Sequence, residues 1–138
     1  QNSQYFAVAN VTNEIYLYTI DPFKNHLKIK LSDSISALAF SNDETRLCIG
    51  TYDKKVIIYN IAKEGIEQTY KLDEIAEVIC LDENLIIYTR DGKVLSKKLH
   101  LEEKFTIKFF GNWPTIAYHK KDTNILLLGS RTNDLFIH

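Results

Sequence analysis

The sequence predicts an all-β fold, and its composition, its short apolar runs and the breaks between those runs all point to it. Eight tyrosines, seven phenylalanines and many isoleucines and valines are present, whereas the 138 residues include only five glycines and two prolines. Strands favour aromatic and β-branched side chains. The apolar runs have the length of strands, and the hydrophilic breaks between them have the length of hairpin turns. We therefore expect about fourteen short strands.

The predicted strands cover the chain from end to end. Twelve are apolar runs, at Tyr5–Asn10, Glu14–Ile20, Ile35–Ser41, Arg46–Thr51, Lys55–Ile61, Glu77–Leu81, Leu85–Thr89, Val94–Leu99, Phe105–Phe110, Thr115–Tyr118, Ile125–Gly129 and Leu135–Ile137. Two less apolar segments, 26–31 and 66–72, fit outer strands with one face in water. One stretch also fits an amphipathic helix, because apolar residues recur at helical spacing at Leu72, Ile75, Ala76, Ile79 and Cys80.

An internal repeat decides between strand and helix. Four segments align without gaps: ANVTNEIYLYTI at 9–20, GTYDKKVIIYNI at 50–61, YTRDGKVLSKKL at 88–99 and the shorter GSRTNDLFIH at 129–138. Their first residues are 41, 38 and 41 positions apart. A period near 40 residues with four short strands per unit is typical of a β-propeller blade. Residues 75–82 are then the inner strand of a blade and not a helix.

The repeat divides the chain into a single propeller segment. Two complete blades are expected at 33–73 and 74–111, and two partial blades at 1–32 and 112–138. Blades pack face to face, so their inner strands should be buried on both sides. Propellers have typically about 4–8 blades. We therefore expect this segment of about three and a half blades to need the remaining blades of a longer chain, or a second copy, to close a ring.

Residues 37–61, with the sequence ALAFSNDETRLCIGTYDKKVIIYNI, resemble a repeat of the WD-repeat family of β-propellers. They follow that family's order of inner strand, turn, second strand, turn with an acid, and third strand. The resemblance extends over essentially the whole chain and is strongest in this second unit. The Trp-Asp pair that names the family is replaced by Tyr59-Asn60 here, by Tyr18-Thr19 in the first unit and by Lys97-Lys98 in the third.

The family's buried hydrogen-bond network of His, Ser or Thr, Asp and Trp cannot form completely, because no Gly-His pair precedes an inner strand. Its remnant is a hydroxyl two residues before the acid of a turn. Thr51 stands before Asp53 in this way, and Thr89 before Asp91. A hydrogen bond of this kind would tighten the hairpin, which is a structural role.

The resemblance also implies a binding face. In WD-repeat proteins the loops between blades share one face with the turns between second and third strands, and the residue before the turn acid often contacts a partner. The matching residues are Val11, Tyr52, Arg90 and Arg131, and Trp113 lies in the loop that enters the fourth blade. Because Tyr, Trp and Arg dominate interface hot spots, Tyr52, Arg90, Arg131 and Trp113 are the predicted partner-binding residues. The alternatives are that Trp113 packs between blades and that the arginines are merely solvated.

Composition argues against several other functions. The chain carries 17 Lys and Arg against 18 Asp and Glu, whereas a nucleic-acid protein would have a basic excess. No apolar run approaches the roughly 20 residues of a membrane span. Two cysteines, Cys48 and Cys80, are expected to be buried thiols. A cytoplasmic or nuclear location is favoured, since neither a signal segment nor a disulfide pattern is visible.

No catalytic, metal or cofactor site is predicted. The histidines are scattered, at His26, His100, His119 and His138, and no phosphate-binding loop or nucleophile elbow occurs. We therefore expect a non-catalytic scaffold that binds a protein or peptide through one loop face. Two alternatives remain: a structural subunit that contacts partners by its blade edges, and a propeller hydrolase with a site in the central channel. For the hydrolase the inner strands offer Ser36, Ala37, Glu77 and Thr115, of which only Glu77 is ionisable.

Overall fold

A computed structural model of the protein describes residues 4–99, 104–109, 114–120, 125–130 and 135–137. These residues form fourteen strands: β1 (Tyr5–Ala9), β2 (Glu14–Thr19), β3 (Lys24–Lys30), β4 (Ile35–Phe40), β5 (Arg46–Thr51), β6 (Lys55–Asn60), β7 (Gly65–Lys71), β8 (Ala76–Leu81), β9 (Asn84–Thr89), β10 (Lys93–Lys98), β11 (Thr106–Phe109), β12 (Pro114–Lys120), β13 (Ile125–Ser130) and β14 (Leu135–Ile137). Within these described residues, no helix is long and apolar enough to cross a bilayer.

The strands form four antiparallel sheets, which we name blades I to IV. Blade I consists of β1–β3, blade II of β4–β7, blade III of β8–β11 and blade IV of β12–β14. Each strand pairs with its neighbour in sequence, as in a meander. The predicted all-β fold, with four-stranded antiparallel blades in a partial propeller, is confirmed. The stretch that also fitted a helix is strand β8.

The hairpin between second and third strands has the same geometry in three blades. Asn13, Lys54 and Gly92 stand at equivalent places and have positive φ angles of 63°, 63° and 88°. The N–H of Lys54 donates to the carbonyl of Thr51 at 3.1 Å, and the N–H of Gly92 donates to that of Thr89 at 3.0 Å. Asn and Gly tolerate a left-handed conformation well. The repeated sequence thus produces a repeated turn.

Three inner strands carry a bulge at one equivalent position. The register against the second strand shifts at Ser36 in blade II, at Glu77 in blade III and at Thr115 in blade IV. A bulge leaves one residue unpaired and redirects its side chain. The hydroxyl of Ser36 accordingly donates to the carbonyl of Ala76 in the next blade at 2.7 Å, and the carboxylate of Glu77 meets the side chain of Arg90.

The hydrophobic core lies between blades. The cluster between blades I and II contains Ile15, Ile29, Leu47, Ile49, Ile57 and Tyr59. The cluster between blades II and III contains Cys48, Val56, Ile58, Ala76, Ile79, Leu81, Leu85, Ile87, Leu95 and Leu99. Successive residues of β5 and β6 alternate between the two clusters, because successive side chains of a strand point to opposite faces. The side chain of Cys48 is buried, as predicted, whereas that of Cys80 lies outside the described part.

This packing predicts different costs for one substitution at two sites. Ile58, which is 1% exposed between blades II and III, should lose about 0.5–1.5 kcal/mol of unfolding free energy on Ile58→Val, because the removed methyl leaves a cavity. Ile66→Val on the outer strand of the same blade, where the side chain is 58% exposed, is the matched control and should be nearly neutral. Urea unfolding measures both. Equal losses would contradict a core placed between the blades.

Candidate functional site

The turns between second and third strands and the loops entering blades II and III lie at one end of the strands, which we call the loop face. Backbone hydrogen bonds join these segments. The N–H of Tyr52 donates to the carbonyl of Ser34 at 2.9 Å, and the N–H of Arg90 donates to that of Ile75 at 2.8 Å. These bonds link equivalent positions, so blades II and III present Tyr52 and Arg90 from equivalent backbone sites.

Tyr52 and Arg90 contact each other across the boundary between blades II and III. The Cζ atom of Arg90 lies 5.4 Å from the centroid of the Tyr52 ring, within the range of a cation–π interaction. The tyrosine is 48% exposed, so the ring also remains open to solvent. Two of the four predicted partner-binding residues are therefore neighbours on the loop face.

Glu77 fixes the guanidinium from the other side. The Nε–H of Arg90 donates to Oε1 of Glu77 at 2.5 Å, and both side chains are about one-third exposed. This hydrogen bond, with a smaller contribution from Tyr52, raises the pKa of Arg90 above its usual value. Glu77 can reach Arg90 because it stands at the bulge of β8. An aromatic ring, a cation and a carboxylate thus form one ordered cluster.

Hydrogen bonds from threonine brace the two turns that carry this cluster. The hydroxyl of Thr51 donates to Oδ1 of Asp53 at 2.5 Å, and that of Thr89 donates to Oδ1 of Asp91 at 2.6 Å. Both threonines are 2% exposed. The two predicted hydrogen bonds are confirmed. Each of these hydrogen bonds spans one residue and fixes the backbone on both sides of it. The spanned residue is Tyr52 in the first turn and Arg90 in the second.

The acids of these turns are also paired with lysines. A hydrogen-bonded ion pair with Lys55 and the hydroxyl of Thr51 together lower the pKa of Asp53. For Asp91, partial burial opposes ionisation, but the hydrogen bonds from Thr89 and Lys93 outweigh it and lower the pKa of the carboxyl. Lys93 lies 2.9 Å from Asp91. Both acids are therefore held as carboxylates that accept the threonine hydroxyl.

Blade I departs from this pattern. Its turn presents Val11, which is 97% exposed, at the place of Tyr52 and Arg90. Oδ1 of Asn10 accepts the N–H groups of Thr12 and Glu14, each at 3.0 Å, instead of the threonine–aspartate bond. Glu14 forms an ion pair with Lys28 at 2.9 Å, which is the main cause that lowers the pKa of Glu14 to about 2. The aromatic and cationic surface is thus a property of blades II and III.

The other predicted residues lie outside what the structure describes. Trp113 and Arg131 are outside the described residues, so their place beside Tyr52 and Arg90 stays a prediction. His26 is exposed and lies against the ring of Tyr5, with the centroids 5.6 Å apart. Within the described residues, no three His, Cys, Asp or Glu side chains are grouped as metal ligands.

Glu77 was not predicted from the sequence to be the partner of Arg90. The two residues are 13 positions apart, and no local motif connects them. The alignment of the inner strands does place Glu77 where blade II has Ser36, a side chain that also reaches out of its own strand. The alignment of Glu77 with Ser36 could therefore have indicated that the Glu77 side chain contacts a residue outside its own strand pair.

A third hydroxyl–acid pair, which was not predicted, lies at the opposite end of the strands. The hydroxyl of Ser41 donates to Oδ1 of Asp43 at 2.6 Å, with the same two-residue spacing as in the loop-face turns. An open cavity of about 230 Å³ adjoins this turn and is lined by Ser41, Asn42, Asp43, Arg46, Asp82 and Glu83. Arg46 there is paired with Glu67 at 2.7 Å. The cavity shares no residue with the loop face.

The fold defines the class of this chain, an all-β chain whose antiparallel blades form part of a β-propeller with a WD40-like architecture. The solved structure of U3-55K, a WD40 propeller protein, is similar to it with a TM-score of 0.83 at 16% sequence identity. The match covers 97% of this chain and 42% of that chain, so the present chain spans less than half the length of U3-55K. At this identity the likeness shows the fold alone. No protein-family model and no curated protein sequence matches the chain.

Removing one hydroxyl should alter the acidity of its turn. We expect Thr51→Val to raise the pKa of Asp53, because the carboxylate loses the hydrogen bond from the threonine hydroxyl, which is one cause of its lowered pKa. NMR titration of the Asp53 carboxyl measures the change. Thr69→Val, at an exposed threonine of β7, is the control and should leave this pKa unchanged. The same pKa in wild type and Thr51→Val would contradict the proposed bracing.

The lowered pKa values of Asp53 and Asp91 also predict a loss of stability in acid. A carboxyl with a lower pKa in the folded state contributes stability above its unfolded pKa, about 3.9 for Asp, and loses it as the pH falls through the folded value. Urea unfolding should therefore show a falling free energy of unfolding below about pH 4. The variant Asp53→Asn/Asp91→Asn should fall less steeply. Equal slopes would show that these acids are not stabilised as carboxylates.

Proposed function

We propose that this chain is a non-catalytic scaffold that binds a protein or peptide partner through its loop face. The partner would contact Tyr52 and Arg90 in blades II and III, together with Arg131 and Trp113. The observation that carries the proposal is the contact of Tyr52 and Arg90 across two blades on an exposed face.

The order of the cluster favours binding. A side chain that is immobilised only on binding loses about 0.5–1.5 kcal/mol in conformational entropy. Arg90 is already held by Glu77 and by the ring of Tyr52, and its turn is braced by Thr89. Much of this conformational entropy is therefore already lost in the free protein, so that binding a partner costs less. Tyrosine and arginine are also among the residues that contribute most to interface energies.

The chemistry of the surface indicates the kind of partner. The exposed ring of Tyr52 offers apolar area, and the guanidinium beside it offers N–H donors. A segment that places an apolar or aromatic side chain on Tyr52 and a carbonyl or carboxylate oxygen near Arg90 would satisfy both groups. We therefore expect an extended loop or peptide as the partner.

One observation supports a scaffold over a hydrolase. Glu77 is the ionisable inner-strand residue on which a central-channel hydrolase would depend. Its carboxylate is engaged by Arg90 in an ion pair. A general acid or base needs a carboxyl that can reach a substrate proton. The carboxylate of Glu77 instead holds the guanidinium of Arg90 in place on the loop face.

Binding should depend on Tyr52 more than on the blade edge. We expect Tyr52→Ala to weaken binding of the specific partner at least tenfold, because the ring supplies the apolar centre of the contact. Ile66→Ala, at a residue 58% exposed on the outer strand of blade II, is the matched control and should bind as the wild type does. Quantitative affinity capture from cell extract identifies the partner, and titration with the purified partner measures the affinity.

The opposite result would contradict the proposal that the partner binds at the loop face. If Ile66→Ala abolished binding and Tyr52→Ala did not, partners would be contacted through blade edges. The double charge reversal Arg90→Glu/Arg131→Glu provides a second variant, with Lys63→Glu, an exposed lysine at the other end of the strands, as its control. Full retention of the partner by the double variant would contradict the proposal. A stoichiometric metal in the purified chain would instead favour the hydrolase.

A further inference from the structure

We propose that Glu77 makes the loop face selective for the main chain of a partner and against acidic groups. Arg90 donates to the carbonyl oxygen of one residue in an extended partner segment, and Glu77 accepts the N–H of that same residue. This inference rests on the proposed function and decides between the carbonyl and the carboxylate oxygen that Arg90 could receive there. It gives Glu77 a role in specificity in addition to holding Arg90 in place.

The positive charge of Arg90 is already paired with a negative charge in the free protein. Its Nε–H donates to Oε1 of Glu77 in a charge-assisted hydrogen bond. A carboxylate of a partner that approaches the guanidinium of Arg90 therefore also approaches the carboxylate of Glu77. Because like charges repel, the repulsion by Glu77 offsets much of the attraction to Arg90.

The other charges around Arg90 do not make this part of the loop face positive. Asp91 follows Arg90 in the same turn and is paired with Lys93 at 2.9 Å. The loop that accepts the backbone N–H of Arg90 contributes two further acids, Asp73 and Glu74. Acids therefore outnumber bases among the charged side chains of this turn, this loop and its contacts: Asp73, Glu74, Glu77 and Asp91 against Lys54, Arg90 and Lys93.

The ion pair of Arg90 and Glu77 still offers hydrogen bonds to a neutral ligand. The bond between the two side chains uses Nε of Arg90 and Oε1 of Glu77. The guanidinium has further N–H groups on its two Nη atoms, and the carboxylate has a second acceptor, Oε2. Both side chains are about one-third exposed. A donor and an acceptor thus lie side by side where a ligand can reach them.

One residue of an extended chain presents the complementary groups. In a strand the N–H and C=O of one residue point to the same side, as they do in a hydrogen-bonded pair of an antiparallel ladder. The carbonyl can therefore accept from Arg90 while the N–H donates to Oε2 of Glu77. A carboxylate cannot satisfy both side chains, because it has no proton to donate. A neutral main chain thus fits the ion pair better than an acidic side chain does.

Tyr52 limits the side from which the segment can approach. Its ring lies beside the guanidinium of Arg90, with the Cζ atom 5.4 Å from the ring centroid. Because the ring occupies this side, the segment has to meet Arg90 from another one. The ring is itself 48% exposed and can receive an apolar side chain of the bound segment.

The position of Glu77 in its blade makes this selectivity specific to blade III. Glu77 stands at the bulge of β8, which directs its side chain out of the regular ladder. The equivalent residue of blade II is Ser36, whose hydroxyl donates to the carbonyl of Ala76 and carries no charge. A negative charge at the bulge thus distinguishes blade III from blade II.

Small probes with one aromatic residue test the preference. N-acetyl-phenylalanine methylamide presents the N–H and C=O of one residue, N-acetyl-phenylalanine ends in a carboxylate, and N-acetyl-N-methyl-phenylalanine methylamide lacks the N–H of the residue. Each is titrated into the full chain at neutral pH up to about 20 mM, while NMR follows the Nε–H of Arg90 and the ring of Tyr52. We expect the first probe to bind at least threefold more tightly than either of the others.

The variant Glu77→Gln tests the role of the negative charge. Glutamine keeps the size and an acceptor oxygen but leaves the charge of Arg90 without its counter-charge. We therefore expect the order to reverse, with the carboxylate probe bound at least threefold more tightly than N-acetyl-phenylalanine methylamide. Glu83→Gln, at an exposed glutamate at the opposite end of blade III, is the matched control and should keep the wild-type order. A merely structural role of Glu77 would weaken binding of all probes alike.

Four outcomes would overturn the inference. Tighter binding of the carboxylate probe by the wild type would show that Arg90 receives acidic groups, and equal binding of the two methylamide probes would show that Glu77 accepts no N–H. The wild-type order in Glu77→Gln would show that the charge has no part in selectivity. No binding of any probe would show that the ion pair takes no ligand. The wild-type titrations decide the question even if Glu77→Gln fails to fold.

Failure of this inference can be told from failure of the proposed function. The proposed function depends on the loss of the specific partner in Tyr52→Ala, which the probes do not measure. If Tyr52→Ala loses that partner while the probes give one of the four contrary outcomes, the loop face binds its partner through other contacts. If Tyr52→Ala retains the partner, the proposed function fails whatever the probes show.

Discussion

The burial of blade faces against each other is the interaction on which the rest of this structure depends. A fully buried isoleucine or leucine contributes about 1.5–3 kcal/mol, and most of the largest buried side chains lie in the clusters between blades I and II and between blades II and III. A single blade has two apolar faces and cannot cover either one alone. Each blade therefore requires a neighbour, and the alternation of side chains along β5 and β6 serves both neighbours at once.

Stacking of this kind leaves the strand ends available for function. Because the core is built from strand interiors, the turn residues are free to differ between blades while the turn geometry is retained. Thr51 and Thr89 brace their turns with the same hydrogen bond, yet the residue carried between threonine and aspartate is Tyr52 in one and Arg90 in the other. Neighbouring blades bring these two into contact, which a single repeat could not do.

The packing of blades against each other also explains why apolar side chains of β1 in blade I are more exposed than those of β5 in blade II. Equivalent positions in β1 and β5 are apolar in both, but Leu47 is fully buried whereas Phe6 is half exposed. The difference comes from what lies beside each strand and not from the residue types. Equivalent apolar positions thus differ in burial according to whether a second sheet of the described residues packs against them.

The sequence by itself determined the fourteen strands, the alternation of buried positions, the strand at β8 and the two hydroxyl–acid bonds of the loop-face turns, because each depends on local pattern or on a repeat of about 40 residues. It also placed Tyr52 and Arg90 at one end of the strands. Only the tertiary structure decided that these two side chains touch and that Glu77 orders the guanidinium. The physical reason is that such contacts form between blades, where the relative position of two sheets sets which side chains meet, and no spacing along the chain encodes that position.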